Sequence, residues 1–136
     1  MFRVDKLIRF HHCDPAGIVF YPQYFVLMHE LVEDWFSQGL NIDYAEFVRE
    51  HGMGLPMVKL ECEFLAPIPM GNVLTLELAV KRIGNSSLTL SVRGSANGRE
   101  SLRAALTVVH TSIAPMRPVP IPQALRSAME RFREDP

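Results

Sequence analysis

The spacing of apolar and polar positions changes several times along the chain. In residues 2–10 the two types partly alternate. Val4 and Ile8 fall on one parity and Arg3, Asp5, Leu7 and Arg9 on the other, which predicts a strand. Residues 11–17, HHCDPAG, read as a loop, because Asp-Pro and the following Gly favour turns and Pro15 disfavours the α region for Asp14. From Gln23 to Gln38 the period is helical. Phe25, Leu27, Met28, Leu31, Val32, Trp35 and Phe36 form a wide apolar stripe. His29, Glu30, Glu33 and Asp34 share the remaining face. Pro22 suits a first helical turn and Gly39 a terminus. This helix is expected to be the most buried in the chain, with its aromatic residues serving as core. Residues 43–51 read as a shorter amphipathic helix with Asp43 as N-cap.

Period two then dominates. Strands are expected at 57–64, 73–83, 87–95 and 101–113. Leu74, Leu76, Leu78 and Val80 alternate with Thr75, Glu77, Ala79 and Lys81. Gly84-Asn85 and Asn97-Gly98 suit tight hairpin turns, so this half reads as an antiparallel meander. Pro118, Pro120 and Pro122 break the pattern, and residues 122–134 are expected to form a last, exposed helix. The fold class is α+β: a five-stranded antiparallel sheet on one long central helix, as a single domain over residues 1–136. Such a sheet has open edges, which predicts a dimer that continues it.

Composition narrows the function. The 136 residues carry 14 Lys+Arg against 15 Asp+Glu, a formal net charge of -1. That balance argues against a nucleic-acid binder or a polybasic membrane anchor, though not against a local grip on a few phosphates. Two cysteines, Cys13 and Cys62, make neither a disulfide framework nor a Cys-x-x-Cys metal spacing, and a reduced cytoplasmic setting is expected. No apolar run is long enough to span a bilayer, and the N-terminus has no signal-peptide core.

The densest reactive cluster is HHCDPAG ahead of the long helix. A helix N-terminus offers unpaired N–H groups and partial positive charge, which would polarise a carbonyl oxygen. Asp14 could attack that carbonyl or activate a water, so the parts for acyl transfer are present. The structural alternative is a turn Asp bonded to local backbone. Cys13 is a rival nucleophile, with His11, His12 and His110 as possible bases; its own alternative is a small buried hydrophobe. Adjacent side chains on an extended chain diverge, which weakens both a Cys13–Asp14 pair and a His11–His12 metal site. The spacing His29-x-x-x-Glu33 could hold a metal or simply pair on the helix surface. Gly17 and Gly39 form no nucleotide-binding loop. Lys81 and Arg82, ahead of Gly84-Asn85-Ser86-Ser87, could hold a phosphate or merely form a solvated hairpin tip.

FHHCDPAGIVFYPQYF, residues 10–25, resembles the signature of the 4-hydroxybenzoyl-CoA thioesterase family of hotdog-fold enzymes. Gly54-x-Pro56, Val73-Leu74-Thr75 and the segment from Lys81 to Ser87 fall in matching order, so the resemblance covers roughly residues 3–113. It implies a sheet wrapped around the helix of residues 23–38, subunits paired with continuous sheets, and pairs that often join into tetramers. It implies an acyl-CoA substrate and no separate cofactor or metal. Asp14 would be the catalytic carboxylate. The backbone N–H near Tyr21 would polarise the thioester carbonyl, with Gly17 and Tyr24 beside it. Leu55, Pro56 and Met57 would line the acyl and pantetheine passage from the neighbouring subunit. Gly84, Asn85, Ser86 and Ser87 would meet the CoA nucleotide end, with Lys81, Arg82 or C-terminal arginines at its phosphates. The chain departs from the type member in carrying His29, at the substrate-binding position that serves the substrate's phenol there, where that protein has an acidic residue, in lacking its tryptophan near residues 43–44, and in a less basic 84–86 turn.

Two other functions fit the same fold. A hydratase or dehydratase of acyl thioesters would need His11 or His12 paired with Asp14, and would hydrate crotonyl-CoA rather than release thiol. A non-catalytic acyl-thioester binding module would bind CoA esters and leave them intact.

Overall fold

In the computed structural model, which describes residues 1–134, the alternating segments pair into one antiparallel sheet. The last two residues of the expected 1–136 domain lie outside the described residues. The sheet order is β1 (Phe2–Leu7), β4 (Val73–Ile83), β5 (Ser87–Ala96), β6 (Arg99–Val109) and β3 (Met57–Phe64). The meander holds for β4 to β6. β3 instead crosses to the far edge beside β6, because the link 65–72 carries Pro67 and Pro69 and buries Ile68 rather than making a tight turn. Asn97 and Gly98 take positive φ, 54° and 70°, as a two-residue hairpin demands.

Strand alternation sets which side chains enter the core. Leu74, Leu76, Leu78 and Val80 are fully buried, and so are Leu88, Leu90 and Val92 on β5. They meet α1 (Tyr21–Asp34), whose Leu27, Met28 and Leu31 are equally buried. Each such leucine contributes about 1.5–3 kcal/mol by leaving water. α1 runs into a π-helical turn, Trp35–Gly39, which places Trp35 and Phe36 in the core. The helix therefore starts two residues earlier than expected, with Pro22 in its first turn, and ends in a wider turn at Gly39.

α2 (Tyr44–Arg49) is capped as expected: the Asp43 carboxylate accepts from Ala45 N and Glu46 N. Three features differ from expectation. The first strand stops at Leu7, and Phe10–His12 form a 3-10 turn. The strand expected over 101–113 breaks at His110. Its end, β7 (Thr111–Ile113), joins a small sheet with β2 (Met53–Gly54) and β8 (Met116–Pro118). The last helix, α3 (Gln123–Glu130), is not merely exposed: Leu125 and Met129 seal the core beside Ile121.

Candidate active site

The site begins with a hairpin that Asp14 opens. Asp14 N donates to Ile18 O at 3.1 Å, and Gly17 N to Asp14 O at 2.9 Å. Pro15 and Ala16 form the turn, and Gly17 follows with φ of 78°, a conformation that glycine adopts without a Cβ penalty. Ala16 N donates to Asp14 Oδ1 at 2.9 Å. One carboxylate oxygen is thus tied to the turn. Among the described residues Oδ2 has no hydrogen bond within the chain, so it is available for chemistry. The local-backbone role of Asp14 and a catalytic role are compatible, because they use different oxygens.

The hairpin feeds directly into α1. Phe20, the N-cap, donates its N–H to His12 O at 2.9 Å, and Gln23 N turns back to Phe20 O at 2.9 Å. Pro22 has no N–H. That leaves the Tyr21 amide as the first-turn donor without a backbone acceptor among the described residues. A helix start with one free amide can bind a developing oxyanion.

Aromatic side chains stand over this helix start. Tyr24 and Phe64 have ring centroids 5.5 Å apart, Phe25 and Phe64 6.3 Å, and Tyr21 and Phe64 6.5 Å. Burial, with smaller contributions from Cys62 and Cys13, pushes the Tyr24 phenol up to about 12, so it stays protonated. Phe64, at the end of the edge strand, carries no catalytic residue type. Only its place in the fold brings it here.

The thiols are poor nucleophiles. Burial, then the Asp14 charge, raises Cys13; burial, then Glu63, raises Cys62. His11 and His12 are not on an extended strand. In the 3-10 turn their rings lie 3.9 Å apart, contrary to the divergence expected, and His12 Nδ1 is occupied by the Arg9 N–H at 2.8 Å. His110 lies elsewhere, bonded to Val119 O at 2.9 Å.

The remaining sequence candidates lie away from Asp14. His29 pairs with Glu33 at 3.1 Å on the outer face of α1, about 12 Å along the helix from Tyr21 at 1.5 Å per residue. Leu55, Pro56 and Met57 precede or open β3, at the opposite end of that strand from Phe64. They adjoin the Gly84–Ser87 turn: Val109 N donates to Pro56 O at 3.1 Å, and His110 N to Ser86 O at 2.7 Å. The Asn85 carbonyl takes Ile121 N at 2.8 Å. Arg126 reaches Gly84 O at 2.8 Å and Asn85 O at 3.4 Å. Lys81 and Arg82 are exposed beside this turn. The turn is therefore clamped by the C-terminal segment, a role for Arg126 that no local pattern announces.

An antiparallel sheet packed on one long helix, with the Asp14 hairpin feeding the helix start, is the hotdog fold. The chain belongs to the Thioesterase-like superfamily, whose model matches residues 8–129. It is 28% identical over 139 aligned residues to a 1,4-dihydroxy-2-naphthoyl-CoA hydrolase of Thermosynechococcus vestitus, covering 96% of this chain and 94% of that one. A thioesterase superfamily protein from Jannaschia sp. CCS1 superposes with a TM-score of 0.90 at 25% identity, over 98% of this chain and 94% of that chain. A gentisyl-coenzyme A thioesterase superposes at 0.85, also 25% identical, over 94% and 99%. Among the described residues no helix is long and apolar enough to cross a membrane.

Proposed function

We propose that this protein hydrolyses an aromatic acyl-CoA to the carboxylic acid and CoA. The observation that carries this reading is the Asp14 Oδ2 on a hairpin bonded to the start of α1, where neither that oxygen nor the Tyr21 amide has a hydrogen-bond partner among the described residues. The thioester carbonyl oxygen accepts from Tyr21 N–H, which makes the carbon electrophilic. Asp14 either attacks that carbon, with water then opening the anhydride, or takes a proton from an attacking water. In both routes the C–S bond breaks, a C–O bond to water's oxygen forms, and the released thiolate is protonated. The exposed ring of Phe64, beside Tyr21 and Phe25 and packed on Tyr24, suits a flat aromatic acyl group by ring stacking. The likeness to hydrolases named for naphthoyl- and gentisyl-CoA supports the same choice.

The working unit in this reading is at least a dimer with its sheets continuous through β3, and paired dimers make a tetramer. The turn Gly84–Ser87, with Lys81 and Arg82, takes the nucleotide end. Free Cys13 and Cys62 suit a cytoplasmic protein acting on cytoplasmic CoA esters. A panel of aryl- and alkyl-CoA thioesters, followed by thiol release, tests the activity. Asp14→Ala should fold normally and lose about a thousandfold or more in kcat, the scale of an essential catalytic group. Wild-type turnover by that variant removes Asp14 from the reaction.

A further inference from the structure

Two histidines are buried, His110 at 3% exposure and His12 at 7%. They are wired in opposite senses. His110 gives its Nδ1 proton to the Val119 carbonyl. His12 Nδ1 instead faces the Arg9 N–H at 2.8 Å, and an amide can only donate. That Nδ1 must be bare, so the His12 ring is neutral with its proton on Nε2. The main chain of His12 is held as well: its N–H bonds Arg9 O at 3.0 Å and its carbonyl accepts from Phe20 at 2.9 Å. One residue therefore ties the turn after β1 to the N-cap of α1, and Asp14 follows two positions later.

Several charged or titratable groups act on this ring. His11 lies against it at 3.9 Å, and Arg9 belongs to the same turn. Lys6 comes from β1 and Glu30 from α1; Lys6 itself pairs with Asp34 at 2.9 Å and Glu30 at 3.7 Å. Burial is the largest influence and opposes protonation, as do His11, Arg9 and Lys6; Glu30 alone favours it. The result holds His12 below the ordinary imidazole range.

We propose that His12 is a positioning residue: its neutral imidazole locks the Arg9–Phe20 turn and so fixes the Asp14 carboxylate against the start of α1. This role rests on the reading of Asp14 as the catalytic carboxylate. Protonation would set an imidazole N–H against the Arg9 N–H and open the lock. The sign follows from linkage. A histidine whose folded value is depressed favours the folded turn fully above the ordinary imidazole range, and that contribution fades as pH falls toward its folded value.

The test uses the full chain and two substitutions. His12→Asn places an amide oxygen near the position of Nδ1 and does not titrate. His12→Phe keeps a ring and removes the acceptor. The expected result is a kcat loss of about tenfold or more for His12→Phe with KM little changed, since a small displacement of a catalytic group costs up to about a hundredfold. His12→Asn should restore kcat at neutral pH and move the acid limb of the pH–rate profile to lower pH. Nitrogen-15 NMR of the imidazoles should show a bare Nδ1 and a protonated Nε2 for His12. A protonated Nδ1 at neutral pH, wild-type kcat in His12→Phe, or equal damage in both variants overturns the proposal. If the wild-type chain releases no thiol from any thioester, the hydrolase reading falls and takes the catalytic role of His12 with it. The NMR result then still reports whether the lock itself exists, so the two failures are distinguishable.

Discussion

At the scale of single residues, the candidate site depends on a division of labour within Asp14. Oδ1 builds the turn and Oδ2 remains for substrate, and Gly17 makes this possible by taking φ of 78°. A Cβ at Gly17 would meet nothing within 4 Å, so a substitution there isolates backbone strain from packing. Gly17→Ala should cost about 1–2 kcal/mol, the penalty for an L-residue in the left-handed region. It should also lower kcat by about tenfold as the carboxylate shifts. Denaturant unfolding and steady-state kinetics on the same preparation check both numbers. The Asp14 turn was legible in neighbouring residues, as Asp-Pro with a glycine after it, and the Tyr21 amide only through the family resemblance. Phe64, Arg126 and the Nδ1 contact of His12 were not. Phe64 lies far from Tyr24 in sequence, and Arg126 likewise from Gly84. His12, though local, depends on a 3-10 turn in a segment that reads from sequence only as the end of a strand and a loop.

At the scale of elements, legibility tracked the length of the repeating pattern. β4, β5 and the buried stripe of α1 repeat often enough for their period to identify them. β2, β7 and β8 are two or three residues each, and partners rather than propensity define them. The end of α1 is a similar case. Gly39 marked a terminus, but the π turn before it answers to packing: an added Cβ at Gly39 would lie 2.7 Å from Trp35 Cδ1 and 3.2 Å from Phe132 Cζ. The Trp35 ring is fully buried and pinned edge-on by Phe36 and Phe132, with centroids 5.8 Å away in both cases. It has little room to retreat. Gly39→Ala should therefore destabilise the chain by about 1–3 kcal/mol, the usual cost of overfilling a packed core. Helix propensity alone would favour alanine over glycine by about 1 kcal/mol. The two forces oppose one another, and a lowered thermal midpoint in calorimetry identifies packing as the winner; a raised one would show that Trp35 yields.

At the scale of the whole molecule, the decisive geometry is the length of β3. Met57 and Phe64 stand at its two ends, about 23 Å apart at 3.3 Å per residue. Phe64 belongs with Tyr24 and the Asp14 hairpin, while Met57 adjoins Leu55 and the 84–87 turn. A single chain thus holds the two halves of the proposed site at opposite ends of one edge strand. β3 is also an edge strand with Met57, Val58 and Phe64 exposed, an edge that a second strand can pair with. Pairing β3 antiparallel with its copy would bring Phe64 of one subunit to Met57 of the other and create two complete sites. This predicts complementation between inactive variants. Asp14→Ala lacks the carboxylate. Pro56→Trp combined with Met57→Trp, both at exposed positions, should block the passage without touching the core. Each preparation alone should have little activity. Mixed by unfolding and refolding at equal amounts, about half the dimers are heterodimers under random assortment, and each regains one intact site of two. About a quarter of wild-type activity should then return. A site built within one subunit gives no recovery at any mixing ratio, because every subunit in the mixture then carries a defect in its own site.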